Sequence, residues 1–319
     1  MKSPNHLVIH HALERHWRSK YLKNVKVGSR EIDGGQLFEI HSDMIKEGNH
    51  PRAYIHGKAV ENVIILTHGL SDSPYYMDAV GRRFYDAGAN VYITLLPGHG
   101  LIDPHEFIQD PELDGLWKEE MDGAVEIAQT MANRISMGGF STGGALSYNK
   151  ILRNPDLING GLFLFAAAID VRAIGILSQS LFIQAVAKGV DGKIMGLGKN
   201  PYKYPKLPKF AGLELGQIID ENETLRGGKK ITQPVFAAHS VHDDTAMLSA
   251  VIDLIKNYAE VASLFVVAED CEHASLTLDK DIELIESFEE GKPAPCNPQF
   301  EEMMAACISF FQKYIVTEG

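Results

Sequence analysis

Long apolar runs are missing from this chain. No stretch approaches the roughly 18 consecutive apolar residues that a bilayer-spanning helix needs, so no transmembrane segment is expected. The start, "MKSPNHLVIHHALERHW", breaks its short apolar patch with histidines and is not patterned as a secretory signal. Basic clusters are missing too. With 30 Lys and Arg against 42 Asp and Glu, the formal net charge is −12, and no basic face is offered to a polyanion, so a nucleic-acid partner is not expected. Cysteine is scarce, with Cys271, Cys296 and Cys307 as the whole complement, and their spacing fits no zinc pattern. The favoured reading is three reduced thiols in a cytoplasmic protein; a Cys271–Cys296 disulfide in a periplasmic or secreted one stays open. No internal repeat or low-complexity tract is present.

What is present is core-forming material. The hydrophobic fraction of 45% over 319 residues suits one large α/β domain or two small ones. Residues 7–22 read as an amphipathic helix with Leu7, Ala12, Leu13, Trp17 and Tyr21 inward. "QLFEI" (36–40) and "AYI" (53–55) read as short strands. Continuous apolar strands follow at "NVIILT" (62–67), "NVYITLL" (90–96), "RISMGGF" (134–140), "GLFLFAAA" (161–168), "PVFAAHS" (234–240) and "SLFVVA" (263–268). Helical patterns lie between them at 77–88, 116–134, 144–154 and 246–260, and a closing helix at 299–315. Strands apolar on both faces, alternating with helices, predict a mostly parallel sheet covered on both sides. Residues 170–229 interrupt the alternation. An apolar helical pattern (Ile174, Leu177, Leu181, Phe182, Val186) is followed by "NPYKYPKLPKF" and a second helix around "LGQIID". The expected organisation is a core of residues 1–169 and 230–319, an N-terminal extension to about residue 24, and a helical cap at 170–229 inserted between late strands.

At Gly139-Phe140-Ser141-Thr142-Gly143 an apolar strand turns into a helical pattern with a serine at the tip. This is the form of a nucleophile elbow, where strand and helix pass so closely that positions two before and two after the serine must be small. Gly139 and Gly143 occupy them. A serine needs a base and a carboxylate to orient that base, in loops past strand ends. "HSVHDDTA" supplies Asp243 and Asp244 after one strand, and "EDCEHASL" supplies His273 after the next. Asp243 is the preferred acid and Asp244 reads as an N-cap of the helix after it; Asp270 is a weaker acid candidate, and His239 and His242 read as structural or rim residues. An oxyanion needs preorganised donors. The N–H of Thr142 follows the nucleophile, and "THGLSDSP" after an earlier strand brings His68, Gly69 and the N–H of Leu70.

Taken together, "THGLSDSP", "LLPGHG", "GFSTGG", "HSVHDD" and "CEHASL" resemble the α/β-hydrolase superfamily, and within it the capped carboxylesterases and monoacylglycerol lipases. The resemblance runs from about residue 60 to the end, apart from the cap. It implies an α/β-hydrolase fold, Ser141 as nucleophile, Asp243 as acid, His273 as base, and Leu70 and Thr142 as oxyanion donors. Two positions depart from the pattern: Thr142 stands where Met is usual, and Ser240 where the acid loop has Gly. The implied activity is hydrolysis of carboxylic esters, of short- to medium-chain acyl groups or monoacylglycerol, without metal or cofactor. A thioesterase, acyltransferase, C–C hydrolase or aminopeptidase shares the same triad, and a non-catalytic binding protein is the reading from another class.

Overall fold

The computed structural model describes residues 6–18, 22–170, 199–206, 208–284 and 294–316. The strands form one sheet of nine in the order β1-β2-β3-β5-β4-β6-β7-β8-β9. β1 (Lys26–Ile32), β2 (Gly35–His41) and β3 (Arg52–His56) form an antiparallel meander at one side, with β3 antiparallel to β5 (Asn90–Thr94). From β5 onward every pair is parallel, through β4 (Asn62–Thr67), β6 (Arg134–Phe140), β7 (Leu162–Phe165), β8 (Val235–Ser240) and β9 (Ala262–Val267). This is the mostly parallel, helix-covered sheet of the α/β-hydrolase fold.

Alternation along each strand divides the core between the two faces. Val63 and Ile65 of β4 join one cluster, and Ile64 and Leu66 the other. The first face is covered by α1 (His6–Arg18), α4 (Leu113–Ala128), α5 (Thr142–Arg153), α6 (Lys209–Arg226) and α7 (Leu248–Tyr258), through residues such as Trp17, Met121, Leu146, Ile218 and Leu254. The second is covered by α2 (Tyr75–Asp86) and α8 (Phe300–Tyr314), where Phe84 and Phe311 pack on Phe163 of the sheet and Phe310 on Phe236. A short helix, α3 (His105–Ile108), precedes α4.

Two departures from the sequence reading stand out. The first helix turns Ile9, Leu13 and Trp17 inward, a single stripe at four-residue spacing, while Leu7 is 63% exposed and Ala12 only half-buried; Tyr21 lies outside the described residues. β1 was not expected at all. Its sequence, "KVGSREI", carries no apolar alternation because it is an edge strand with neither face fully covered. "SLFVVA" is the opposite edge, and Val266 there is 38% exposed. All three cysteines are free, in line with the favoured reading, and Cys271 and Cys296 do not form a disulfide.

The apolar pattern at 174–186 lies outside the described residues. Of the interrupting segment, α6 docks in the same core as α4 and α5. Asn222 reaches across to α5, accepting from Asn149 Nδ2 at 2.9 Å and donating to the Ala145 carbonyl at 3.0 Å. Among the described residues, no helix is long and apolar enough to cross a membrane.

Candidate active site

The parallel strands end together, and the loops leaving β4, β6, β8 and β9 converge where open α/β sheets bind ligands. β4 and β6 are neighbours, although β5 comes between them in the chain, so the 67–74 loop and the Ser141 turn face each other at a reversal of strand order.

Ser141 is held at φ 51°, a left-handed conformation uncommon for a residue with a Cβ. The packing behind it explains how. A Cβ on Gly143 would come within 2.0 Å of the Thr67 carbonyl oxygen, and one on Gly139 within 2.4 Å of the Gly143 carbonyl carbon. The two glycines therefore clear a path for helix α5 to start hard against β4 and β6. The Ser141 N–H donates to the Phe165 carbonyl at 3.0 Å, and the Ser141 carbonyl accepts from Ala168 N–H at 3.1 Å.

His273 meets both of its expected partners. Its Nδ1 lies 2.6 Å from Asp243 Oδ2 and its Nε2 lies 3.0 Å from Ser141 Oγ. A carboxylate only accepts, so Nδ1 carries the proton; Nε2 is then the acceptor of the Ser141 hydroxyl. Phe140 packs against the imidazole with ring centroids 4.8 Å apart. Burial pushes the Asp243 carboxyl up, but the His273 hydrogen bond and charge, with the N–H groups of Ala246 and Thr245, outweigh it and hold the group below its ordinary value. Those two N–H groups donate to Asp243 Oδ1 at 2.9 and 2.8 Å.

Asp244 is not the helix cap that its position suggested. Helix α7 begins only after Met247, with no side-chain cap, because the chain first spends Thr245 and Ala246 wrapping the Asp243 carboxylate. Asp244 accepts from the Thr245 hydroxyl at 3.2 Å and lines the cavity, as do Asp270, Glu272 and His242. Ser240, at the position where the related acid loops carry Gly, uses its hydroxyl to accept the His242 N–H at 3.0 Å. His239 is fully buried beside Asp243. Its Nε2 donates to the Ala246 carbonyl at 3.1 Å and lies 3.4 Å from Asp243 Oδ2, and burial holds its pKa below the ordinary value despite that carboxylate.

The 67–74 loop is built on His68. Its Nδ1 donates to the Gly69 carbonyl at 2.8 Å and its Nε2 accepts the Leu96 N–H at 3.1 Å, tying the loop to the Pro97 turn. Burial keeps this ring neutral, its pKa well below the ordinary value. The N–H groups of Leu70 and Thr142 have no hydrogen-bond partner among the described residues, and Thr142, as the first residue of α5, has none within its helix. Leu70 and Ser141 line the same cavity of about 720 Å³, within the range of small-molecule sites.

Sequence reasoning missed the supports of that loop. Asp72, buried in the same cavity, pairs with Lys203 Nζ at 3.1 Å, and the Tyr204 N–H donates to the Ser71 carbonyl at 2.9 Å. Burial raises the Asp72 pKa, and Lys203 and His273 oppose the rise. Nothing local marks Lys203 or Tyr204, which stand about 130 residues later in the chain.

Residues 58–198 match the sequence model of the family described as Serine aminopeptidase, S33. No curated protein sequence matches the chain significantly. Among solved structures, one from work on LipS and LipT, two metagenome-derived lipolytic enzymes, superposes with a TM-score of 0.65 at 17% identity, over 85% of this chain and 100% of that one. Acetyl xylan esterase from Paenibacillus sp. R4 gives 0.55 at 14%, over 97% of this chain and 94% of that one. The monoacylglycerol lipase of Paleococcus ferrophilus gives 0.52 at 16%, over 80% and 96%. Sheet order, the loops that leave its parallel strands and these superpositions agree on an α/β-hydrolase fold.

Proposed function

We propose that the protein is a serine esterase that hydrolyses carboxylic esters through an acyl-enzyme. The observation that carries this is the unbroken relay from Ser141 Oγ to His273 at 3.0 Å and from His273 to Asp243 at 2.6 Å, inside a cavity large enough for a small ester. His273 takes the Ser141 proton as Oγ attacks the ester carbonyl. The carbonyl oxygen becomes an oxyanion between the N–H groups of Leu70 and Thr142. His273 then protonates the departing alcohol, and water activated by the same imidazole releases the acid. Asp243 fixes the Nδ1–H tautomer and stabilises the imidazolium. Leu70, Ala168 and Leu215 give one part of the cavity an apolar lining that suits a short- to medium-chain acyl group or a monoacylglycerol. Residues 170–229, inserted between β7 and β8, serve as the cap, anchored to the core by α6.

A second reading is favoured by the acidic part of the lining. Asp244, Asp270 and Glu272 suit a substrate with a free amino group, as an aminopeptidase would take, and the triad serves an amide as it serves an ester.

A series of p-nitrophenyl esters of increasing chain length and a series of aminoacyl p-nitroanilides test both. We expect turnover of the shorter esters, lost in Ser141→Ala, and a fall on the order of 10⁴-fold in kcat for Asp243→Asn, with Asp244→Asn within a few-fold of the parent. Turnover of the anilides alone would select the second reading. Turnover surviving in Ser141→Ala would overturn both.

A further inference from the structure

Ser71 follows Leu70 in the 67–74 loop and has no part in the relay. It is 1% exposed, lines the same cavity as Ser141 and His273, and its hydroxyl has no hydrogen-bond partner among the described residues. Buried hydroxyls are nearly always paired, so an orphaned one calls for a reason. Thr142 Oγ1 is also buried without a partner, but Thr142 is not among the residues lining that cavity.

The backbone adds a second, independent observation. Ser71 sits at φ 65°, again left-handed for a residue with a Cβ, and no turn chemistry of glycine or asparagine supports it. The conformation is imposed from both sides. Tyr204 N–H grips the Ser71 carbonyl at 2.9 Å, Lys203 holds Asp72 at 3.1 Å, and Ser73 Oγ donates to Asn49 Oδ1 at 2.8 Å. Asn49 in turn donates to the Pro201 carbonyl at 3.2 Å, so the segment that clamps Ser71 is fastened at a further point. Strain that the surroundings over-determine, next to an unpaired polar group in a cavity, is characteristic of groups held for a ligand.

We propose that Ser71 is a third oxyanion donor. Its hydroxyl gives a hydrogen bond to the substrate carbonyl oxygen as negative charge develops there, beside the N–H groups of Leu70 and Thr142. The bond strengthens in the tetrahedral adduct, so the residue acts on the chemical step more than on substrate binding. This rests on the reading of Ser141 as the nucleophile.

Ser71→Ala and Ser71→Gly test it, with three readouts: kinetics on a p-nitrophenyl ester that the parent turns over, inhibition by an alkyl boronic acid that forms a tetrahedral adduct on the nucleophile, and thermal unfolding. Both variants are expected to lose about tenfold to a hundredfold in kcat with little change in KM. The boronate should weaken by a similar factor. Unfolding temperature should hold or rise, because Ala removes an unpaired buried hydroxyl and Gly also relieves the backbone. Unchanged kcat and unchanged boronate affinity would overturn the proposal. So would activity lost in step with stability in both variants, which would make Ser71 a purely structural residue. A parent that neither turns over an ester nor binds the boronate would instead overturn the underlying reading of Ser141.

Discussion

Two serines in this cavity occupy left-handed backbone, and they are held there by different means. Ser141, at φ 51°, is held by packing: helix α5 lies so close to β4 and β6 that glycine alone fits at 139 and 143. Ser71, at φ 65°, is held by polar bonds from Asn49, Lys203 and Tyr204 to its own loop. Steric clearance is short-range and rigid, whereas a set of hydrogen bonds and an ion pair responds to charge, pH and the position of a distant segment. The elbow is thus fixed by the core, and the facing loop is adjustable from outside it.

That contrast can be broken at either end. The largest effect is expected for Gly143→Ala, whose added methyl would meet the Thr67 carbonyl oxygen at 2.0 Å. A backbone clash of this kind has no side chain to yield, so a loss of about 4 kcal/mol or more is expected, read as a lowered urea midpoint or loss of soluble protein. Ser71→Gly, at the facing serine, should show no such loss.

Acid should act on the loop side. His68 and His99 lie beneath the loop and the turn it is tied to, with burial holding His99 at about 4 and His68 well below its ordinary value. Above pH ~6.5 these rings are neutral in both folded and unfolded chains, so they contribute no pH dependence there. As pH falls, the unfolded chain binds protons that the folded one refuses, and stability drops until the folded pKa is reached. His99 alone should remove on the order of 3 kcal/mol between pH ~6.5 and ~4. The urea midpoint measured across that window should fall steadily, and His99→Gln should flatten the slope.

The smallest effect is expected at Lys203. It is partly exposed, so its pair with buried Asp72 is screened, and Lys203→Met should cost about 1–2 kcal/mol. Adding Asp72→Asn should restore most of that loss, because the neutral side chain no longer needs a cation. An additive double variant would show that the pair is not what fastens the loop.

The same contrast explains what the sequence made legible. The elbow was readable because its determinants, Gly139, Ser141 and Gly143, fall within five residues and state a steric rule. The meeting of Asp243 and His273 with Ser141 was legible because strand ends can be counted and each loop past them carries a carboxylate or an imidazole in chain order. The parallel sheet was readable from strands apolar on both faces. Ser71 carries no signal of its own within "THGLSDSP", since its φ, and its hydroxyl left without a partner among the described residues, are properties of the folded chain. Its supports at Asn49, Lys203 and Tyr204 are distant in the chain and carry no periodicity. Asp244 misled because its place before a helix resembles a cap, when the Asp243 carboxylate had already claimed the N–H groups that follow. β1 was invisible because a solvated edge strand need not alternate.

The central claim is that Ser141, activated by His273, is the nucleophile. Incubation with a fluorophosphonate, followed by intact mass and peptide mapping, tests it without knowledge of the natural substrate. The account predicts one adduct per chain, on Ser141, absent from Ser141→Ala and strongly slowed in Asp243→Asn. An adduct on Ser71 or any other residue, or no adduct on the folded protein, would contradict it.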